Sequence, residues 1–170
     1  MKRVSSQLIY SSPDSFLKKT VIETDEYQHI VRLINLSDEQ SETAQTLFFN
    51  GIISPGIISL SLRGALPNCA EQPYVNLSVS ENPETIFSNR CIIDFGTEDQ
   101  TVINKLLRKH ELFFSKHTAS EIIRACCILP AIYTNQPCHI EPGTAPGLML
   151  WTGFDLTSLK THSSISIKYL

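Results

Sequence analysis

No stretch of this 170-residue chain approaches the ~20 consecutive apolar residues needed to cross a bilayer, so a membrane-spanning helix is not expected. Clustered cations are missing too. The 14 Lys and Arg are scattered, and the formal net charge is -3 with a pI near 5.9, which argues against nucleic acid as the main partner. The basic start Met1-Lys2-Arg3 is followed only by the short apolar run Leu8-Ile9-Tyr10, too little for a signal-peptide core. Cysteine lacks the spacing of a disulfide scaffold: Cys69, Cys91, Cys126, Cys127 and Cys138 are odd in number, which suits reduced thiols in a cytoplasmic protein. There is no Gly-rich phosphate loop, no dinucleotide-binding glycine pattern and no Gly-x-Ser-x-Gly nucleophile elbow.

What is present is an ordinary globular composition. With 42% hydrophobic and 18% charged residues the chain can bury one core and is not expected to be disordered. The first third reads as strands over 7–10, 19–23, 29–35, 46–49 and 57–62, separated by turn-forming residues. Asn50-Gly51 between two apolar runs predicts a hairpin turn, because both residues tolerate positive φ. A further strand is possible over 74–79, and the run 91–95 reads as a short buried strand ending in Gly96-Thr97. Thr97-x-x-Gln100 then opens a helix whose stripe includes Val102, Ile103, Leu106, Leu107, His110, Phe113 and Phe114. A second capping box, Thr118-x-x-Glu121, opens an apolar helix over 119–129 that Pro130 ends or kinks. After Pro137 the chain turns extended, with the run Leu148 to Trp151 and an alternating terminal strand over 164–169.

Four segments, in order, carry a resemblance. The first is the set of early strands through Val21-Ile22-Glu23 and Ile30-Val31-Arg32-Leu33-Ile34 into Phe48-Phe49-Asn50-Gly51-Ile52-Ile53-Ser54-Pro55-Gly56. The second is 91–99 with Gly96-Thr97-Glu98-Asp99, and the third is the helix ending Cys127-Ile128-Leu129-Pro130-Ala131. The fourth is Ile140-Glu141-Pro142-Gly143-Thr144-Ala145-Pro146-Gly147-Leu148. Together they resemble the metal-dependent amidohydrolases of the deaminase and cytosine-deaminase type. The resemblance implies an α+β fold: a composite β-sandwich from residues 1–62 and 138–170, with residues 63–137 as a reduced α/β insert with two helices, a remnant of a TIM barrel.

The departures from that family bear on function. Where the family has a His-x-His metal-binding pair after Pro-Gly, this chain has Ser61 and Arg63, a poor ligand and a group that cannot deprotonate to bind. Glu98, with Asp99 beside it, stands where the family has its aspartate after the last barrel strand. A complete barrel takes roughly 250 residues, more than the whole chain. The expectation is therefore an amidohydrolase-like protein with no catalytic residues of the family kind, no metal and no cofactor. It would serve as a scaffold, as a partner of a full-length amidohydrolase or of itself in a homodimer, or as a small-molecule binder using Arg63, Glu98 and Asp99. The alternative is a hydrolase of carbon-nitrogen bonds with a rebuilt site. For that chemistry Ser61, Cys69, Cys126 or Cys127 would be the nucleophile and His29, His110, His117 or His139 the base. Cys138-His139 offers two adjacent metal ligands without a second pair at a zinc-site spacing. The adjacent Cys126 and Cys127, in an apolar helical stretch, read as packing residues.

Overall fold

A computed structural model describes residues 1–12, 15–37, 45–55, 111–128, 131 and 137–170. Among the described residues seven strands form one sheet: β1 (Lys2–Ser12), β2 (Ser15–Leu17), β3 (Thr20–Thr24), β4 (Ile30–Asn35), β5 (Thr46–Pro55), β6 (Leu148–Phe154) and β7 (Thr161–Tyr169). Among the described residues the helices α1 (Glu111–Lys116) and α2 (Ala119–Ile123) precede the last two strands, and α2 continues as a π-helical turn over Arg124–Ile128. The protein is thus mixed α+β with a mostly sheet core.

The strand order is β4-β3-β1-β5-β6-β7, with β2 pairing the second half of β1. β1 runs parallel to β5 and antiparallel to β2 and β3, and the pairs β3–β4, β5–β6 and β6–β7 are antiparallel. Strands from the start and from the end of the chain meet at β5–β6, where Ile52 faces Trp151 and Ser54 faces Met149.

Alternation along the strands sends side chains to two buried cores, one on each face. On one face Leu8, Tyr10, Ile52, Met149, Trp151, Ile165 and Ile167 pack with Phe114, Ile122, Ile123 and Ile128 of the helical segment. On the other, Ile9, Ile22, Ile30, Ile53 and Leu150 pack with Ile140. Thr24 and Gln28, at the β3–β4 corner, line the same small hollow as Gly147, Leu148 and Leu170. The Ile30 N–H donates to the Thr144 carbonyl at 2.7 Å, and the Gly143 N–H donates to the Ile30 carbonyl at 2.8 Å. The segment that enters β6 therefore hydrogen-bonds the outer strand β4.

Asn50-Gly51 is not a hairpin turn. β5 runs straight through it, and the β1–β5 register slips there: Ser6 faces Phe49 and Leu8 faces Ile52, so three steps along β5 match two along β1. The extra residue makes a bulge, the other use of a residue pair that tolerates unusual backbone angles. Gly51 has φ +143, and a Cβ built on it would run into the Trp151 carbonyl oxygen of β6. Glycine is needed because the bulge and the neighbouring strand leave no room for a side chain.

An inner strand of the sheet carries a buried acid. Glu23 on β3 is almost fully buried, and its register partners are Arg3 on β1 and Arg32 on β4. Arg3 Nε donates to Glu23 Oε2 at 2.5 Å and Arg32 Nε donates to Oε1 at 3.1 Å, a three-strand ladder of alternating charge.

Candidate functional site

β5 delivers the chain at Pro55 and α1 receives it at Glu111, so these two elements bracket residues 56–110. Ser61, Arg63, Glu98 and Asp99, with Cys69, Cys91 and His110, lie outside the described residues. Next to Pro55 the described residues build a buried polar cluster on the helix-facing side of the sheet. Ile52 and Ser54 on β5 share that side with Met149 and Trp151 on β6, because antiparallel partners point the same way. The diagonal pair is bonded. Trp151 Nε1 donates to Ser54 Oγ at 2.8 Å, Ser54 Oγ donates to the Pro55 carbonyl at 2.9 Å, and the Cys127 sulfur lies 3.7 Å from the same hydroxyl. Ser54 is completely buried and Trp151 nearly so.

This cluster is built to satisfy the indole N–H inside an apolar core, since a buried donor left unpaired is costly. It is not an activated nucleophile. Burial pushes the Cys126 thiol up to about 12 and raises Cys127 well above its ordinary value, with the neighbouring Cys126 adding to the effect. Both therefore remain neutral thiols near pH 7, and a nucleophilic cysteine needs the thiolate. Two of the four nucleophiles considered from the sequence are excluded on this ground.

The histidines are dispersed. His29 sits in an exposed turn with Nδ1 3.3 Å from Asp25 Oδ2, and the Asp25 carboxylate also accepts the Tyr27 and His29 backbone N–H groups, each at 2.9 Å. His117 is buried at the corner between α1 and α2, its Nδ1 3.6 Å from Glu121 Oε2. That carboxylate also closes the expected capping box: it accepts the Thr118 N–H at 2.7 Å, while Thr118 Oγ1 accepts the Glu121 N–H at 3.4 Å. Desolvation opposes ionisation of Glu121, but the Thr118 donors and His117 outweigh it and hold the carboxyl below its usual range. Cys138 is buried while adjacent His139 is exposed, so the two potential ligands face different surroundings. Among the described residues no group of three or more His, Cys, Asp or Glu stands where it could hold a metal ion.

Sequence reasoning missed two features: the Ser54–Trp151 bond and the Arg3–Glu23–Arg32 ladder. Each had a signal. A serine inside Ile52-Ile53-Ser54 and an acid inside Thr20–Thr24 are polar residues within buried apolar strands, where a partner is required. The chain matches no protein-family model, no curated protein and no solved structure. Among the described residues no helix is long and apolar enough to cross a membrane.

Proposed function

We propose that this chain is an amidohydrolase-like protein that has lost the catalytic barrel and metal site and acts without turnover, as a scaffold, partner or small-molecule binder. The observation that carries the reading is the identity of Ser61 and Arg63, which follow Ser54-Pro55-Gly56 where the family places its two histidine ligands. A hydroxyl and a guanidinium cannot replace two imidazoles on a zinc-type ion. The pairing of β5 with β6 supports the reading, because a composite β-sandwich requires strands from both chain ends to share one sheet. In this reading residues 1–62 and 138–170 form that sandwich, and residues 63–137 are the remnant of a TIM barrel. Arg63, Glu98 and Asp99 are then the groups available to a ligand. The test is elemental analysis of the dialysed protein. The expected result is no stoichiometric transition metal. A metal-to-protein ratio near one, lost in Glu98→Gln or His139→Ala, would overturn the reading.

The same reading makes a second copy of the chain, in the cytoplasm, the natural partner, because a shortened barrel leaves strand edges for another chain to cover. Light scattering at micromolar concentration is expected to give the mass of a dimer. A monomer mass across that range removes the homodimer from the proposal.

A further inference from the structure

Asn-Gly is the dipeptide most open to spontaneous deamidation. The following nitrogen, unshielded by a Cβ, attacks the asparagine carboxamide carbon; a C–N bond forms, ammonia leaves, and water opens the resulting succinimide to aspartate or isoaspartate. Two conditions govern the rate: the glycine amide must give up its proton, and the backbone must bring that nitrogen onto the side chain. A paired strand opposes both. Its N–H is engaged, and its extended backbone holds the next nitrogen away from the carboxamide carbon.

At Asn50-Gly51 the protection has an unusual source. Asn50 is exposed and stands at the bulge of β5, where the ladder with β1 is interrupted between Ser6 and Leu8. The extra residue of a bulge falls out of the backbone ladder. Here the Gly51 N–H donates instead to a side chain, Oε1 of Gln7 on β1, at 3.0 Å. The pairing of β5 with β6 begins only at the next residue, Ile52, opposite Trp151. The amide that would have to act as nucleophile is therefore restrained by the Gln7 carboxamide.

We propose that Asn50 is a deamidation site held in check by Gln7, which acts as a positioning residue on the Gly51 amide. Isoaspartate at Asn50 inserts a methylene into the backbone of β5 two residues before Ile52. The modification then alters the register at the seam where the two ends of the chain pair. Loss of the Gln7 acceptor converts a protected site into a reactive one. Gln7→Glu keeps an oxygen acceptor at the same reach and keeps the protection.

The test incubates the full-length folded protein at mildly alkaline pH and follows the amide-to-acid mass change by peptide mapping, with isoaspartate resolved by chromatography. Gln7→Ala is expected to deamidate at Asn50 roughly three- to tenfold faster than the unaltered chain, the factor set by loss of one intramolecular hydrogen bond. Gln7→Glu is expected to stay at the unaltered rate, and Asn50→Ser in the Gln7→Ala background is expected to abolish the signal. A destabilised chain, Ile165→Ala on β7, separates local protection from global unfolding. If it accelerates Asn50 deamidation as much as Gln7→Ala does at matched stability, the clamp is not at Gln7 and the proposal fails. An unchanged rate in Gln7→Ala, or an equal acceleration in Gln7→Glu, likewise overturns it.

Discussion

Trp151 links β5, β6 and the helix-facing core. It faces Ile52 across the β5–β6 pair, packs in the helix-facing core and reaches Ser54 through its indole nitrogen. Two substitutions separate these roles. Trp151→Ala removes a large buried volume and is expected to destabilise the protein by about 3 to 5 kcal/mol. Trp151→Phe retains most of the apolar contact but deletes the N–H. Because Ser54 still donates to the Pro55 carbonyl, the cost should fall toward the roughly 1 to 3 kcal/mol of a disturbed buried hydrogen bond. Urea titration of both variants checks the order. Equal losses would mean that packing alone sets the value of Trp151. At this scale the sequence was partly legible. Cys126 and Cys127 read as packing residues and are buried, where desolvation disfavours the thiolate. The partners of Ser54 and Glu23 were not legible, because they come from strands distant in sequence and depend on register.

Among the secondary-structure elements, two formed where their local signals predict them. The Thr118-x-x-Glu121 box caps α2, and the alternating residues before Leu170 form β7. Continuation of α2 was less legible. The expected apolar helix over 119–129 is α-helical only to Ile123 and then widens into the π turn Arg124–Ile128, just before the residues leading to Pro130. Periodicity marks an apolar face but does not distinguish a helical turn of one width from another. The hairpin expected at Asn50-Gly51 failed for a related reason: the same backbone freedom serves a bulge, and only the parallel partner β1 decides between them. The ladder across β1, β3 and β4 gives a pH prediction. The Arg3 hydrogen bond, against an opposing desolvation and with further help from Arg32, lowers the Glu23 pKa below the ordinary value of 4.5. A carboxyl depressed in the folded state contributes stability that is fully present above the unfolded pKa and is lost as pH falls through the folded one. Stability is therefore expected to be flat near neutrality with respect to this group and to decline below about pH 4.5. Glu23→Gln should lower stability at neutral pH and flatten that acid decline. An unchanged acid profile in the variant would show that the ladder does not contribute to it.

On the scale of the whole molecule, the parallel β1–β5 pair and the antiparallel β5–β6 pair make β5 the strand on which both chain ends depend. β6 and β7 contribute Met149, Trp151, Phe154, Ile165 and Ile167 to the helix-facing core, while Leu150 and, just upstream, Ile140 enter the opposite core. Removing the C-terminal segment thus strips apolar side chains from both faces at once. It also exposes the edge of β5 over Ile52 to Pro55 and removes the Thr144 and Gly143 partners of Ile30. Each large buried aliphatic or aromatic side chain is worth roughly 1.5 to 3 kcal/mol, and a domain's net stability is about 5 to 15 kcal/mol, so losing this many exceeds the margin. A chain ending at Gln136 is therefore expected to lose the cooperative melt and the strand signal of β1 to β5, followed by circular dichroism with heating. Adding back a separate 137–170 peptide should restore part of that signal, because the missing strands can re-pair with β5 in trans. A truncated chain that melts cooperatively with its strand content intact would show that β1 to β5 form a self-sufficient unit. The seam at Ile52 and Trp151 would then be a docking of two independent parts instead of the centre of one fold.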